Sequence, residues 1–248
     1  EGIEDGIAQA AAQGRRISVV QILTIMRNSD QGRPTAELVL ANRHRGVGGA
    51  DLAGPEAGFP VSAHKRALRI LRQASMPVTI HAGEADGVQS VADALHVGGA
   101  IRIGHGARVV EDITFAEPSE DDPWGLSGAV LGPLAQWVLD QQVPLELCPS
   151  SNLHTGLVDS IARHPITPLL RLGFAVTVSP DNRLMSGTSQ SRELGLLVDQ
   201  AGWTRDELRD VAVTAAWNAF LPHDERERLV EDTILPAYLT PTNGRHRA

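Results

Sequence analysis

The stretch that decides the fold is TIHAGE at positions 79–84. An apolar run over residues 77–80 ends at His81, and two small residues then lead to an acidic one, Glu84. Short runs rich in β-branched residues are typical of strands that are buried on both faces of a parallel sheet. The stretch therefore predicts a buried parallel strand with a histidine and a carboxylate just beyond its carboxyl end.

The same unit, an apolar run followed by a polar loop and an amphipathic segment, recurs along the chain. Strands are predicted at residues 17–23, 46–52, 77–80, 100–103, 143–147 and 174–178. Helices are predicted over residues 35–45, 62–75, 88–97, 129–142, 165–172, 189–201, 205–220 and 225–238. Because strands that alternate with helices build parallel βα units, we expect an α/β fold. A chain of 248 residues is also the size of one (β/α)8 barrel.

The composition argues against several classes of function. The 22 basic and 30 acidic residues give a net charge of −8, and no basic run exceeds two residues, so we expect no nucleic-acid partner. The single cysteine, Cys148, excludes an intramolecular disulfide and a cysteine-based zinc cluster. No apolar run reaches the roughly 18 residues of a membrane span, and no signal peptide is visible. We therefore expect a cytoplasmic protein without membrane contact.

The domain organisation is predicted to be simple. Residues 1–239 are expected to form one barrel domain. Residues 117–122 are predicted to be an acidic surface insertion, and residues 240–248 a frayed, disordered tail.

Polar residues cluster directly after the predicted strands, which is where parallel α/β barrels carry their chemistry. His81 and Glu84 are spaced so that one group could hold a metal while the other moves a proton. The same spacing fits a buried histidine and a carboxylate that caps the next helix. His105 stands between two glycines after the fourth strand, in a tight turn that either approaches a ligand or exposes the histidine.

Three further strand ends carry polar groups. Asp181 follows the sixth strand, where an acid suits a cation ligand and equally a helix N-cap. The segment CPSSN at positions 148–152 follows the fifth strand and is interpreted as a loop. Its hydroxyl and amide groups could bind a substrate or merely shape the loop, and the residues taken singly favour the second. Asp51 and Gly54 close the second strand, either as a turn or as a place where a ligand approaches the backbone.

Taken together and in this order, these motifs resemble the adenosine deaminase family of the metal-dependent amidohydrolase superfamily. The resemblance covers essentially the whole chain. It rests on DLAG at 51–54, TIHAGE at 79–84, RIGHG at 102–106, CPSSN at 148–152 and DNRLMSGT at 181–188. It implies a (β/α)8 TIM barrel of the amidohydrolase type, in which this chain lacks the first two strands and begins in the helix before the third.

The resemblance also implies roles for individual residues. The residue matching His81 binds zinc, and the one matching Asp181 binds zinc and holds the attacking water. The match of His105 orients and deprotonates that water, and the match of Glu84 donates a proton to purine N1. The match of Gly54 contacts the substrate through its backbone. The implied reaction is zinc-dependent, hydrolytic deamination of adenosine or deoxyadenosine to inosine or deoxyinosine and ammonia.

Two positions depart from the family's pattern. Asn182 stands where the family usually has a second aspartate facing purine N7, and an asparagine NH2 can donate directly to that acceptor. The family also takes two zinc ligands from a His-x-His motif on its first strand, and these 248 residues contain no such motif. Because a catalytic zinc normally has three protein ligands, we predict that this polypeptide by itself binds zinc weakly and deaminates little.

Two other functions stay open at this point. One is deamination of another 6-aminopurine, such as adenine or aminodeoxyfutalosine. The other is a catalytically impaired homologue that binds a purine or a partner. The joint presence of Glu84, His105 and Asp181 speaks against the second, because a site freed from catalysis has no physical need for all three.

Overall fold

The computed structural model describes residues 2–239. Its strands are β1 (Gln21–Met26), β2 (Val47–Ala53), β3 (Val78–Ala82), β4 (Arg102–His105), β5 (Ile113–Thr114), β6 (Val130–Leu131), β7 (Leu145–Leu147) and β8 (Val176–Val178). Six of them form one sheet in the order β1-β2-β3-β4-β7-β8, in which every neighbouring pair is parallel. The carboxyl ends of these six strands therefore lie along one edge, while β5 and β6 form a separate antiparallel pair.

Helices occupy the segments between and after the strands. They are α1 (Gly2–Ala12), α2 (Gly32–Asn42), α3 (Lys65–Gln73), α4 (Val88–Asp93), α5 (Pro133–Asp140), α6 (Pro149–His154), α7 (Ile166–Arg171), α8 (Arg183–Ser186), α9 (Gln190–Ala201), α10 (Arg205–Trp217), α11 (His223–Leu229) and α12 (Leu235–Leu239). Helix α10 begins with a capping box, in which Thr204 and Glu207 each accept the other's backbone N–H. Shorter 3₁₀ turns lie at Val61–His64, Ala107–Asp112, Leu126–Gly128 and Ile161–Arg163, and π turns at Ala94–Gly98 and Val230–Ile234.

The core lies between the sheet and the helices that pack on it. Each strand of the large sheet contributes a fully buried aliphatic side chain: Ile25, Leu52, Ile80, Ile103, Leu145 and Val176. Burying a side chain of this kind stabilises the fold by about 1.5–3 kcal/mol. Helix α3 turns Ala67, Leu68 and Leu71 toward this core and packs against α2, which buries an apolar stripe of the helix.

The six predicted strands are confirmed, although the position predicted for the first one is wrong. It was expected over residues 17–23, but the strand that forms there is β1, Gln21–Met26. The ladder with β2 begins only where Gln21 lies beside Val47, so the preceding residues have no strand to pair with. Ile17 and Val19 accordingly remain exposed.

The helix predicted over residues 129–142 is confirmed only in its second part. Its first residues belong to β6, which pairs with β5 in a hairpin. Helix α5 then begins where the carboxylate of Asp112 accepts the backbone N–H groups of Leu134 and Ala135. This tertiary contact moves the start of the helix because it satisfies donors that have no partner within the helix.

The segment between β5 and β6 contains the predicted acidic insertion at 117–122, which lies on the surface. Asp122 turns its carboxylate back to accept the N–H groups of Leu126 and Ser127. The predicted tail at 240–248 lies outside the described residues. Within residues 2–239, every helix is too short or too polar to cross a lipid bilayer.

Candidate active site

A cavity of about 240 Å³ lies at the carboxyl ends of the strands of the large sheet. All six strands, or the residues just after them, contribute to its lining: Ile22, Thr24, Asp51, Thr79, His81, Arg102, Gly104, His105, Glu146, Cys148, Ser179 and Asp181. A larger groove of about 840 Å³ lies beside residues 115–124, but its described lining is mainly apolar and includes none of the predicted site residues. The smaller cavity is therefore the candidate site.

His81 lies at the end of β3 beside a buried carboxylate on β2. Its Nδ1 is 3.0 Å from Oδ1 of Asp51, and Thr24 on β1 donates to the other carboxylate oxygen over 3.4 Å. Burial alone would lower the pKa of His81, but the hydrogen bond and charge of Asp51, helped by two further carboxylates, raise that pKa above its ordinary value. With Nδ1 bonded to Asp51, Nε2 is the ring nitrogen left for a ligand.

The position of the His81 ring depends on a glycine in the next strand. Strands β3 and β4 pair with His81 opposite Gly104. A Cβ atom on Gly104 would lie 2.9 Å from Nδ1 and 3.1 Å from Cα of His81. The glycine that precedes His105 in the sequence is therefore required for the close approach of two histidine-bearing strands.

Two of the predicted site residues have strained backbone conformations. His105 has φ of 60° and Asp181 has φ of 49°, in the left-handed region that non-glycine residues seldom adopt. Ser75 and Gln142 share this conformation, but they lie just after α3 and α5, where it is an ordinary way to end a helix. Strain of about 1–3 kcal/mol that is retained at two strand ends facing one cavity is typical of functional sites.

Asp181 lies at the rim of the cavity with both carboxylate oxygens engaged. Ser151 donates its hydroxyl to Oδ2 over 2.5 Å, and the backbone N–H of Asn182 donates to Oδ1 over 2.8 Å. Ser151 belongs to α6, so the interpretation of residues 148–152 as a loop is wrong for all but the first of them. Pro149 begins this helix, where its missing N–H leaves no hydrogen bond unmade.

His105 is almost fully buried between Glu84 and His81. Its Nε2 lies 3.4 Å from Oε2 of Glu84, and its ring meets that of His81 edge to face with 5.2 Å between centroids. Burial lowers the pKa of His105 below its ordinary value, and the charge of Glu84 offsets this only in part. The ring is therefore held as a neutral imidazole.

Three of these side chains are close enough to share a cation. Glu84, His105 and Asp181 each offer a ligand atom, and these atoms lie within 4.8 Å of one another. The sequence predicts His81 and Asp181 as the metal ligands, whereas the geometry groups Asp181 with the two predicted catalytic residues and places His81 against His105. Imidazole nitrogen and carboxylate oxygen are donors that zinc accepts, so a candidate metal site is present and its donors fit zinc.

A buried carboxylate holds the loop that carries Glu84. Glu56 accepts backbone N–H groups from four consecutive residues, at 2.6, 3.1, 2.8 and 3.2 Å: Gly83, Glu84, Ala85 and Asp86. Hydrogen bonds to an ionised acceptor are roughly twice as strong as neutral ones. The Glu84 side chain in turn accepts from Asn152 and from the hydroxyl of Thr155, both over 3.2 Å.

The two predicted substrate-binding residues stand beside the cavity and are not among the residues that line it. Gly54 follows β2 with φ of 105°, and a Cβ there would lie 3.0 Å from Cε of Met26, so the position requires glycine. Asn182 accepts the N–H groups of Leu184 and Met185 on its Oδ1 at the start of α8. Its Oδ1 is therefore engaged by the helix, and its NH2 group is the part that could donate to another group.

Several residues that hold this site together were missed by sequence reasoning. Asp51 carried a usable signal, because a charged residue inside an apolar strand requires a partner. Asn152 was considered only as a possible substrate contact, and Glu56 and His164 carried no signal, since each bonds to groups outside its own local motif.

Known proteins with similar sequences are adenosine deaminases, which agrees with the metal-binding and proton-transferring groups in the cavity. The family model described as adenosine deaminase matches residues 1–235. The adenosine deaminase of Mycobacteroides abscessus is 45% identical over 237 residues, which are 96% of this chain and 63% of that protein. Adenosine deaminase 1 of Streptomyces coelicolor is 47% identical over 241 residues, covering 96% of this chain and 58% of its own length. The chain thus spans about three fifths of the length of these curated relatives.

Among solved structures, the adenine deaminase from Arthrobacter aurescens matches with a TM-score of 0.80 and 24% sequence identity. The match covers 96% of this chain and 67% of that one. At this identity the likeness shows the fold alone, and it confirms the predicted α/β-barrel class. Within residues 2–239 that barrel is represented by six parallel strands, with β1 and β8 at the edges of the sheet.

Proposed function

The chain belongs to the adenosine deaminase family, and on that premise we propose that its site hydrolyses the 6-amino group of adenosine or deoxyadenosine to release ammonia. The observation that best supports this is the convergence of His81, Glu84, His105 and Asp181 at the carboxyl ends of β3, β4 and β8. Imidazole and carboxyl groups in such a cluster can hold a cation and transfer protons.

We propose zinc as the metal, held by Nε2 of His81 and the carboxylate of Asp181. Asp51 orients the His81 ring through Nδ1 and strengthens Nε2 as a ligand, while Ser151 holds Asp181. Zinc, when bound, supplies a Lewis acid and lowers the pKa of water to about 7. These residues provide two of the three usual protein ligands, so weak zinc binding by a polypeptide of these 248 residues stays a prediction.

In this proposal Glu84 donates a proton to purine N1. Carbon C6 of adenine is a poor electrophile, and protonation of N1 lets the ring accept electrons while C6 is attacked. Glu84 must therefore carry a proton when substrate is bound, and Glu56 keeps its loop in place for that transfer. His105 orients the attacking water.

The two predicted substrate-binding residues suit a purine with a free N7. With Oδ1 of Asn182 turned toward α8, its NH2 group is the part that would donate to N7. Gly54 would let the substrate approach the backbone at the end of β2. Adenine and aminodeoxyfutalosine share these features, so the preference for adenosine rests on the curated relatives. A cytoplasmic location without nucleic-acid or membrane partners stays a prediction.

The test is an ultraviolet absorbance assay, because loss of the amino group shifts the purine spectrum. The protein translated from the complete gene and the 248-residue chain are compared on adenosine, deoxyadenosine, adenine and aminodeoxyfutalosine. We expect the complete gene product to convert the two nucleosides fastest. Failure of the zinc-loaded complete product to convert either nucleoside would overturn the proposed function.

The metal prediction is checked separately by the zinc content of the purified 248-residue chain. We expect far less than one zinc per chain, because two ligands hold the ion weakly. Tight, near-stoichiometric zinc would contradict this prediction and leave the proposed reaction untouched.

A further inference from the structure

A buried amide joins His105 to a second histidine that the proposed reaction does not use. Asn152 and His164 are both 0% exposed. Oδ1 of Asn152 lies 3.1 Å from Nε2 of His164, and its Nδ2 lies 3.0 Å from Nδ1 of His105 and 3.2 Å from Oε1 of Glu84. Polar groups therefore run in series from the interior of the molecule to the candidate site.

A backbone amide determines which groups donate and which accept along this series of hydrogen bonds. The N–H of Ile166 donates to Nδ1 of His164 over 3.0 Å, and a backbone N–H can only donate. Nδ1 of His164 is therefore unprotonated, so the neutral ring carries its proton on Nε2 and donates it to Asn152. Burial lowers the pKa of His164 to about 3, which keeps the ring neutral near pH 7.

Asn152 then has one favourable orientation. With Oδ1 toward His164, its NH2 group faces two acceptors, on His105 and on Glu84. The flipped amide would set Oδ1 against the carboxylate of Glu84 and the NH2 group against the protonated Nε2 of His164. Both contacts would be repulsive, and Asn152 and His164 are shielded from solvent at 0% exposure, so the flip is excluded.

We propose that Asn152 is a positioning residue that holds His105 as the Nε2–H tautomer, and that His164 in turn holds Asn152. His105 then presents a hydrogen-bond donor to the site. In this tautomer Nε2 cannot accept a proton. The inference rests on the proposed function and restricts it: His105 orients the attacking water as a donor, and the proton that this water loses passes instead to the carboxylate of Asp181 in the same cluster.

The test reads ring protonation directly in metal-free protein. In the 248-residue chain with ¹⁵N-labelled histidine rings, two-bond ¹H–¹⁵N correlation spectra distinguish protonated from unprotonated ring nitrogens. Signals are assigned by their loss in His105→Gln and His164→Gln. We expect both rings to be protonated at Nε2 and bare at Nδ1, and a protonated Nδ1 on His105 would overturn the proposal.

The decisive variant is Asn152→Asp, since its ionised carboxylate has nearly the same shape but cannot donate. We expect Nδ1 of His105 to become protonated while His164 keeps its pattern. Thr155→Val is the matched control, because it removes another donor to Glu84 and leaves the bond between Asn152 and His105 in place. It should change neither ring, and an unchanged His105 in Asn152→Asp would overturn the proposal.

A second pair of variants serves if Asn152→Asp fails to fold. His164→Leu removes the donor that orients Asn152, so His105 should populate both tautomers, whereas His164→Gln keeps an N–H donor and should retain one. Identical His105 spectra in the two variants would count against the proposal.

Steady-state kinetics of the complete gene product provide an independent test. Asn152→Asp should lower kcat by about 10²-fold with a smaller change in KM, because a misprotonated ring no longer orients the water. An unchanged kcat would refute the catalytic part of the proposal. The ring spectra need no substrate, so they report on the tautomer even if the proposed function is wrong.

Discussion

Two histidines face each other across the candidate site, and their surroundings give them opposite proton chemistry. His81 is half-exposed and bonds to the carboxylate of Asp51, which raises its pKa. His105 is 2% exposed and bonds to the amide of Asn152, and burial lowers its pKa. Their ring centroids are 5.2 Å apart. The bonded partner and the local burial, rather than the location in one site, therefore decide which ring is easily charged.

The site accordingly has two sides. The carboxylate-backed side consists of Asp51 and His81, and it suits a ring that supports a cation through Nε2. The amide-backed side consists of His164, Asn152 and His105, and it suits a ring with a fixed hydrogen-bond donor. Glu84 stands where the two sides meet, since it lies against His105 on a loop that begins just after β3.

The largest loss of activity is expected from changing Glu84, which lies where the two sides meet. Glu84→Gln removes the proton donor to N1 and keeps the shape of the side chain. We expect kcat of the complete gene product on adenosine to fall by about 10²–10⁴-fold with little change in KM, measured by steady-state kinetics. The control Glu111→Gln alters an exposed carboxylate paired with Arg108 and should stay near wild type. Retention of most of the activity by Glu84→Gln would remove Glu84 from the mechanism.

A smaller effect is expected from breaking the carboxylate-backed side. Asp51→Asn takes the charged partner from Nδ1 of His81, so the ring is held less firmly as a ligand. Zinc affinity of the complete gene product should fall about 10–100-fold, as competition with a chelator would measure. Thr24→Val, which removes only the 3.4 Å bond to the same carboxylate, should have a lesser effect. An equal zinc dissociation constant for Asp51→Asn and wild type would show that the charge of Asp51 does not support His81 as a ligand.

The last effect, which is the smallest when counted per pH unit, tests the amide-backed side through the pH dependence of stability. The folded-state pKa of His164 is about 3, below the ordinary value of 6.5, so between these values the unfolded chain binds a proton that the folded chain does not. Stability is therefore lost as pH falls below about 6.5, by roughly 1.4 kcal/mol per pH unit for this group. His164→Gln should flatten that part of the dependence in urea unfolding of the 248-residue chain.

The matched control for this measurement is His154→Gln, which removes an exposed histidine of α6. It should keep the wild-type dependence of unfolding free energy on pH. If His164→Gln keeps the wild-type slope of unfolding free energy against pH, His164 titrates alike in the folded and unfolded chain. The neutral His164 ring could then no longer be taken as the fixed donor to Asn152.

Much of the fold could be predicted from sequence because each strand is a local apolar run. The strands near His81, His105 and Asp181 were placed to within two residues, although His81 and His105 lie inside β3 and β4 and not after them. Parallel strands bring their carboxyl ends to one edge whatever the loops do. Boundaries that depend on a distant partner were not predictable. The start of β1 is set by Val47, and the start of α5 by Asp112.

The sequence by itself determined the alternation of strands and helices, the chemical groups at the strand ends and the lack of His-x-His in these 248 residues, because all of these follow from local residue order. Only the tertiary structure decided which nitrogen of each ring is bonded. The partner of His81 is 30 residues away and that of His105 is 47 residues away, and the direction of a hydrogen bond is a property of neighbours in space.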